Sequence, residues 1–376
     1  MVPKKANKPK VAVFVGTRPE IIKMCSTIRA LEASRAFDFV FVHTGQHYDW
    51  AVSKSFLEEF SLPNPDFFLN VRSGTHGQQT ARIIERSERV LTRAKPSLVL
   101  VEGDTNSALG VAIAASKLKV PVGHVEAGCR SFDTAMPEEL NRKMIADCSS
   151  LNFAPTTRCA RNLRREGIPP KAIFSTGHPL VDLFRTIRRR VDQSRVLETL
   201  NIEPTGYTLV TVHRQENTDD RHRLESILRA ISSLTIPVIF PIHPRTNRKI
   251  VDYRQSRFLK NVTVTPPLRY ADTLQLIRNA AVVLTDSGGI QQEAYLFRTP
   301  CVTLRTTTEW IETVYSGMNF LAGPSSREII RLATAAAQNR DAIRKRRHPS
   351  YFGKGDATSR ILRIIMSFCL NAAERR

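Results

Sequence analysis

The stretch Val282-Val283-Leu284-Thr285-Asp286-Ser287-Gly288-Gly289-Ile290-Gln291-Gln292-Glu293-Ala294 decides how the rest of the chain is read. Four apolar, β-branched-rich residues, 282–285, stop at a Thr-Asp-Ser-Gly-Gly turn, and a helix-compatible run carrying a carboxylate follows at once. The pattern predicts strand, tight turn and helix. Ser287-Gly288-Gly289 presents amide groups with little Cβ cover at a helix N-terminus, where the macrodipole favours a phosphate or diphosphate. Glu293, further into the helix, can only accept hydrogen bonds and so suits a sugar or ribose hydroxyl. Together these features point to a nucleotide sugar. An ordinary βα turn with Ser287 as N-cap fits the same fragment, and both readings stay open here.

Outward from this stretch, strand-like and helix-like segments alternate to both ends, which predicts an α/β protein with parallel sheets flanked by helices. The 376 residues correspond to two domains at about 150 residues each. We place a Rossmann-like N-terminal domain over 1–178, a Rossmann-like C-terminal domain over 179–356 and a terminal amphipathic helix over 357–376. Expected elements include a strand at 10–16, a helix from 17 to 34 opened by capping-box spacing of Thr17 and Glu20, and a single helix over 325–346. Polar, glycine-containing segments fall at strand ends: Gly16-Thr17-Arg18, Gly45-Gln46-His47, Gly103-Asp104-Thr105, Glu126-Ala127-Gly128, His213-Arg214, His243-Pro244 and Asp286–Gly289. Ligands of open parallel sheets bind beyond such ends, so these segments are expected to line one cleft between two facing domains. Neither GxGxxG nor GxxxxGK[ST] occurs, which disfavours a nicotinamide dehydrogenase or a P-loop ATPase.

Composition narrows the class further. A hydrophobic content of 41% supports real cores, and no run approaches the ~18 apolar residues of a membrane span. The polar start, Met1 to Lys10, lacks an apolar leader, so a cytoplasmic setting is expected. Six scattered cysteines form no CxxC pair, which fits reduced thiols and no metal site. The net charge of +21 comes in small Arg and Lys clusters without interleaved aromatics, so a solvated basic surface is read before specific nucleic-acid binding.

Asp104, Glu126 and Glu138 come from neighbouring βα units. If they converge, like-charge repulsion raises at least one toward general acid/base range. Arg18 and the Ser287-Gly288-Gly289 amides can hold a departing diphosphate, and His213 can bind or protonate the leaving group. Each has a plainer reading: Asp104 as a helix cap, Glu138 as a partner of a helix dipole, Lys23 as a salt bridge to Glu20 one turn earlier.

At this point GTRPEIIK (16–23), HTGQHYD, SGTHGQQT, GDTNS, HVEAG, MPEELNR, TVHRQEN, IHPRT, LTDSGGIQQEA and TTTEW, in that order, make the chain resemble the non-hydrolysing UDP-N-acetylglucosamine 2-epimerases. The resemblance implies a glycosyltransferase-B-like fold, a UDP-sugar substrate, no cofactor and a homodimer. It implies elimination of UDP from UDP-GlcNAc with loss of the C2 proton, giving 2-acetamidoglucal, then re-addition on reprotonation to give UDP-ManNAc. It places Arg18, Lys23, Asp104, Glu126, Glu138 and His213 at catalytic and diphosphate-contacting positions, and Ser287, Gly288, Gly289 and Glu293 at UDP-binding ones. Gln46 and His243 resemble positions that contact a second, regulatory UDP-GlcNAc in some bacterial members. Trp310 replaces a basic residue of the family's Thr-Glu-Arg-Pro-Glu, a form that resembles the branch acting on UDP-2,3-diacetamido-2,3-dideoxyglucuronate. A hydrolysing epimerase releasing ManNAc and UDP, a glycosyltransferase and a basic non-catalytic binding protein remain the alternatives.

Overall fold

Seven strands form the first sheet: β1 (Lys10–Val15), β2 (Asp38–His43), β3 (Phe67–Phe68), β4 (Leu98–Glu102), β5 (Val122–Val125), β6 (Leu151–Ala154) and β7 (Ile173–Ser175). Six more form a second: β8 (Thr208–Thr211), β9 (Val238–Pro241), β10 (Val262–Thr265), β11 (Val282–Thr285), β12 (Cys301–Thr303) and β13 (Asn319–Leu321). This computed structural model describes residues 8–46 and 50–374. The polar N-terminal stretch up to Asn7 and His47, Tyr48 and Asp49 of the HTGQHYD motif lie outside the described residues.

All pairings in both sheets are parallel, in the orders β3-β2-β1-β4-β5-β6-β7 and β10-β9-β8-β11-β12-β13. Helices link successive strands, so strand order reverses at β1/β4 in the first sheet and at β8/β11 in the second, as in Rossmann-like folds. Continuous apolar runs explain why these segments are central strands. Val11, Ala12, Val13 and Val15 of β1, and Val282, Val283 and Leu284 of β11, are fully buried. Burial of one such Val or Leu side chain stabilises the fold by roughly 1.5–3 kcal/mol.

Two compact units follow the two sheets. One comprises residues up to Thr186 together with Ser350 onward, and the other is Ile187–Pro349. The terminal helix, Ala357–Glu374, therefore belongs with the first sheet. Asp182, in the helix Pro179–Asp192, receives the Ala357 and Thr358 N–H groups at 3.2 and 3.0 Å and so caps that terminal helix from outside it. Among the described residues, no helix is long and apolar enough to cross a membrane.

Two local expectations are corrected. Thr17 makes no capping bond; the Glu20 carboxylate instead takes the Gly16 N–H at 2.8 Å and the Thr105 hydroxyl at 2.7 Å. A reciprocal capping box forms at Thr75 and Gln78. The expected helix 325–346 is two helices, Ser326–Gln338 and Arg340–Arg344, broken at Asn339.

Asp182→Ala should lower unfolding free energy by about 1–2 kcal/mol, because two orphan amides of the terminal helix lose their acceptor. Asp182→Asn should recover most of it, as read from urea unfolding curves.

Candidate active site

In the first unit, side chains from four elements meet at the carboxyl ends of β4 and β5. Lys23, in the helix Arg18–Glu32, places Nζ 3.0 Å from Glu102 Oε1 and 2.6 Å from Glu126 Oε2. His178, just before the helix Pro179–Asp192, brings Nε2 to 2.6 Å from the same Glu126 oxygen. Glu102, Glu126 and His178 are arranged as a metal-ligating trio, but the Lys23 ammonium already meets both carboxylates, so the position holds a cation from the chain itself. Lys23 thus pairs with Glu102 and Glu126, not with Glu20.

One cation shared by two buried carboxylates decides their protonation. Burial pushes Glu102 well above the usual carboxylate range, with repulsion from Glu126 adding to it and Lys23 opposing. Burial pushes Glu126 up as well, but Lys23 and the His178 hydrogen bond outweigh it and hold Glu126 below that range. Burial opposes the charge on Lys23, and its two carboxylate partners more than restore it. Of this cluster the raised acid is Glu102, which the sequence reading did not include, and Glu126, which it did, is lowered.

Asp104 lies apart from this cluster in its contacts. Its Oδ2 is 2.5 Å from Arg142 Nη2, and its carbonyl accepts from Asn141. The cap of the helix Asn106–Lys117 is Thr105, whose hydroxyl accepts the Ala108 N–H. Glu138 sits half-buried in the first turn of the helix Pro137–Cys148. Its neighbour Glu139 is the buried acid, binding Arg142 and the Ser131 and Phe132 amides. Arg18 lies over the Phe56 ring at 4.3 Å, and Gln46 Oε1 accepts from the Ser107 N–H and hydroxyl.

In the second unit the opening stretch folds as read, with β11 ending at Thr285 and a helix over Gly288–Phe297 capped by Ser287, whose hydroxyl faces the Ile290 N–H. Asp286 is fully buried and ties the turn to the loop after β8. It accepts the His213 and Arg214 N–H groups at 3.1 and 3.0 Å and the Asn217 amide at 3.1 Å. His213 Nδ1 lies 3.2 Å from Asp286 Oδ1, which directs Nε2 away from that carboxylate. The His213 and His243 ring centroids are 6.2 Å apart. Glu293 Oε1 accepts from the Tyr270 hydroxyl at 2.8 Å. Trp310 is buried, and its indole Nε1 lies 3.1 Å from where a Cβ on Gly288 would stand, so a side chain there would have to displace the indole by a few tenths of an ångström.

Sequence reasoning missed Glu102, His178 and Glu139 as site components, and missed that Asp286 is the tie at the switch point. Glu102 and His178 both stand at strand ends, where polar residues in parallel-sheet proteins carry functional weight. That position was the available signal.

The family model described as UDP-N-acetylglucosamine 2-epimerase matches residues 29–366. A Methanocaldococcus jannaschii protein named UDP-N-acetylglucosamine 2-epimerase is 41% identical over 366 residues, covering 95% of this chain and 98% of that protein. A Pseudomonas aeruginosa UDP-2,3-diacetamido-2,3-dideoxy-D-glucuronate 2-epimerase is 39% identical over 359 residues, covering 94% and 98%. The crystal structure of the Methanocaldococcus jannaschii UDP-GlcNAc 2-epimerase with UDP-GlcNAc and UDP aligns at a TM-score of 0.90, covering 95% of this chain and 99% of that one.

Burial raises the Asp286 carboxyl, but the His213 ring and the three N–H donors prevail and hold it below its ordinary value of 3.8. A depressed folded value stabilises above the unfolded one and loses that contribution as pH falls. Asp286→Ala should therefore cost about 3 kcal/mol at pH 7, with the gap to the parent protein narrowing below pH 3.8, measured by urea unfolding across pH.

Proposed function

We propose that this chain, which belongs to the UDP-N-acetylglucosamine 2-epimerase family, interconverts UDP-GlcNAc and UDP-ManNAc by eliminating and re-adding UDP. The observation that carries the reading is the Lys23, Glu102, Glu126 and His178 cluster at the strand ends of the first sheet. It holds two buried carboxyl groups whose proton affinities are driven in opposite directions, Glu102 upward by burial and Glu126 downward by Lys23 and His178, an environment suited to proton handling at a weakly acidic C–H bond.

The C2 hydrogen of the sugar is not adjacent to a carbonyl. It becomes removable only as the anomeric C–O bond lengthens and positive charge develops at C1. Base and leaving-group stabilisation must act together, and the two units supply residue types for each. In this proposal Asp104, Glu126 and Glu138 form the proton-handling set, with Lys23 fixing Glu126. Arg18, His213 and the amides of Ser287, Gly288 and Gly289 take the diphosphate, whose charge grows as UDP departs. Glu293, oriented by Tyr270, takes a ribose hydroxyl.

A second reading, 2-epimerisation of UDP-2,3-diacetamido-2,3-dideoxyglucuronate, is favoured by the Trp310 form of the loop after β12. The indole is buried against Gly288, so no cation stands at that position.

Incubation with UDP-GlcNAc in D₂O, followed by proton and phosphorus NMR, is expected to place deuterium at C2 of intact UDP-GlcNAc and UDP-ManNAc. Free ManNAc with UDP would assign hydrolysis instead. Inertness toward UDP-GlcNAc with exchange in the diacetamido-uronate would assign the second reading, and inertness toward both would refute the epimerase.

A further inference from the structure

We infer that His178 is a positioning residue for Glu126, a neutral imidazole that fixes one carboxylate oxygen without exchanging protons itself. The inference rests on the proposed epimerase reading for its catalytic consequence, but its geometry stands on this chain alone. His178 Nδ1 accepts the Leu180 N–H at 3.0 Å. That acceptor role places the proton of a neutral ring on Nε2, the atom 2.6 Å from Glu126 Oε2. The ring is fully buried, and burial pushes it below the ordinary imidazole range against the pull of Glu126.

The ring itself is anchored from a distant part of the chain. The His178 N–H donates to the Phe352 carbonyl at 2.8 Å, and Gly177 packs against the Phe352-Gly353 backbone so closely that an added Cβ would lie 3.1 Å from the same carbonyl oxygen. The segment leading into the terminal helix thus sets the imidazole. Lys23 approaches the same Oε2 at 2.6 Å, so both contacts to this carboxylate fall on one oxygen. The other oxygen keeps its acceptor capacity for substrate. Glu126 is also at φ 67°, in the left-handed region that is uncommon for a non-glycine residue. His178 and Lys23 hold its side chain.

Removing the Nε2 donor should leave Glu126 ionised less easily and less well oriented. The groups that act on it besides His178 are Lys23 and Glu102, while Glu20 bears on Glu102, Asp104 on Lys23, and Asp182 on His178.

The test uses the full chain with His178→Phe, which keeps a ring and no donor, and His178→Gln, whose amide restores a donor. For His178→Phe, kcat should fall on the order of 10- to 100-fold while KM changes less than about threefold, and the acid limb of kcat should move up by about one pH unit. His178→Gln should recover at least part of kcat and return the acid limb toward that of the parent. Equal kcat in both variants, or a loss confined to KM or to melting temperature, would overturn the inference. Long-range ¹H–¹⁵N NMR of the parent protein, with His178 assigned by its loss in His178→Phe, gives a readout independent of substrate. A neutral ring protonated on Nε2 from pH 6 to 8 supports the inference, and an imidazolium or the Nδ1–H tautomer overturns it. If the parent is inert toward both UDP-sugars, the epimerase reading fails and this tautomer alone decides the positioning role.

Discussion

A buried carboxylate ties together two strand-end loops at the switch point of each sheet, and the geometry of both candidate half-sites depends on it. Parallel strands end with amide groups that no neighbouring strand can satisfy, and burying them unpaired is costly. In the first sheet Glu20 answers with one oxygen to Gly16 after β1 and the other to Thr105 after β4. In the second, Asp286 after β11 reaches the His213 and Arg214 amides after β8. The two acids are shifted in opposite directions for a physical reason. Glu20 has only neutral amides and hydroxyls as donors, and burial raises it. Asp286 adds an imidazole and a third N–H, which outweigh an equally complete burial.

The same competition, run with fewer cations than carboxylates, organises the first unit's cluster. Lys23 stands between Glu102 and Glu126, and His178 breaks the tie by adding a second donor to Glu126 alone. A symmetrical pair would share its proton between equivalent acids. Here Glu102 is driven upward and Glu126 downward, so the asymmetry is built into the resting fold. A group that must accept a proton only as C1 becomes cationic benefits from such a fixed assignment, because no rearrangement is needed during the step.

Much of this was legible in the sequence, and the failures have identifiable causes. The apolar run 282–285 gave β11 to the residue, since four β-branched or aliphatic positions stopped by Asp-Ser-Gly-Gly allow little else. Alternating elements gave the α/β class. Thr17 and Glu20 had the right spacing for a capping box, but the glutamate found a better network across the sheet, a tertiary effect that spacing cannot encode. Asn339 broke a helix whose apolar periodicity runs through it. Glu102 and His178 were passed over because residues 76 positions apart carry no periodic signal. Their convergence is a property of β4 lying beside β5 and of the anchor at Phe352.

The charge of +21 is the bulk property most at odds with the interior, and the ion pairs explain why it does not disturb the site. Buried or nearly buried cations in these loops are matched by carboxylates. Lys23 meets Glu102 and Glu126, Arg142 meets Glu139 and Asp104, Arg130 meets Glu166 with both arms of its guanidinium, and Arg305 meets Glu309 and Glu216. An unpaired ammonium or guanidinium at such depth would lose its proton or stay partly solvated. The excess positive charge therefore resides on the surface, where it raises the local concentration of anions without setting the protonation of any buried acid. Close to the turn at Ser287, Trp310 is buried and Arg305 is bound by two glutamates, so in the proposed reading attraction for a diphosphate there falls to backbone amides and to His213, whose ring is already oriented by Asp286.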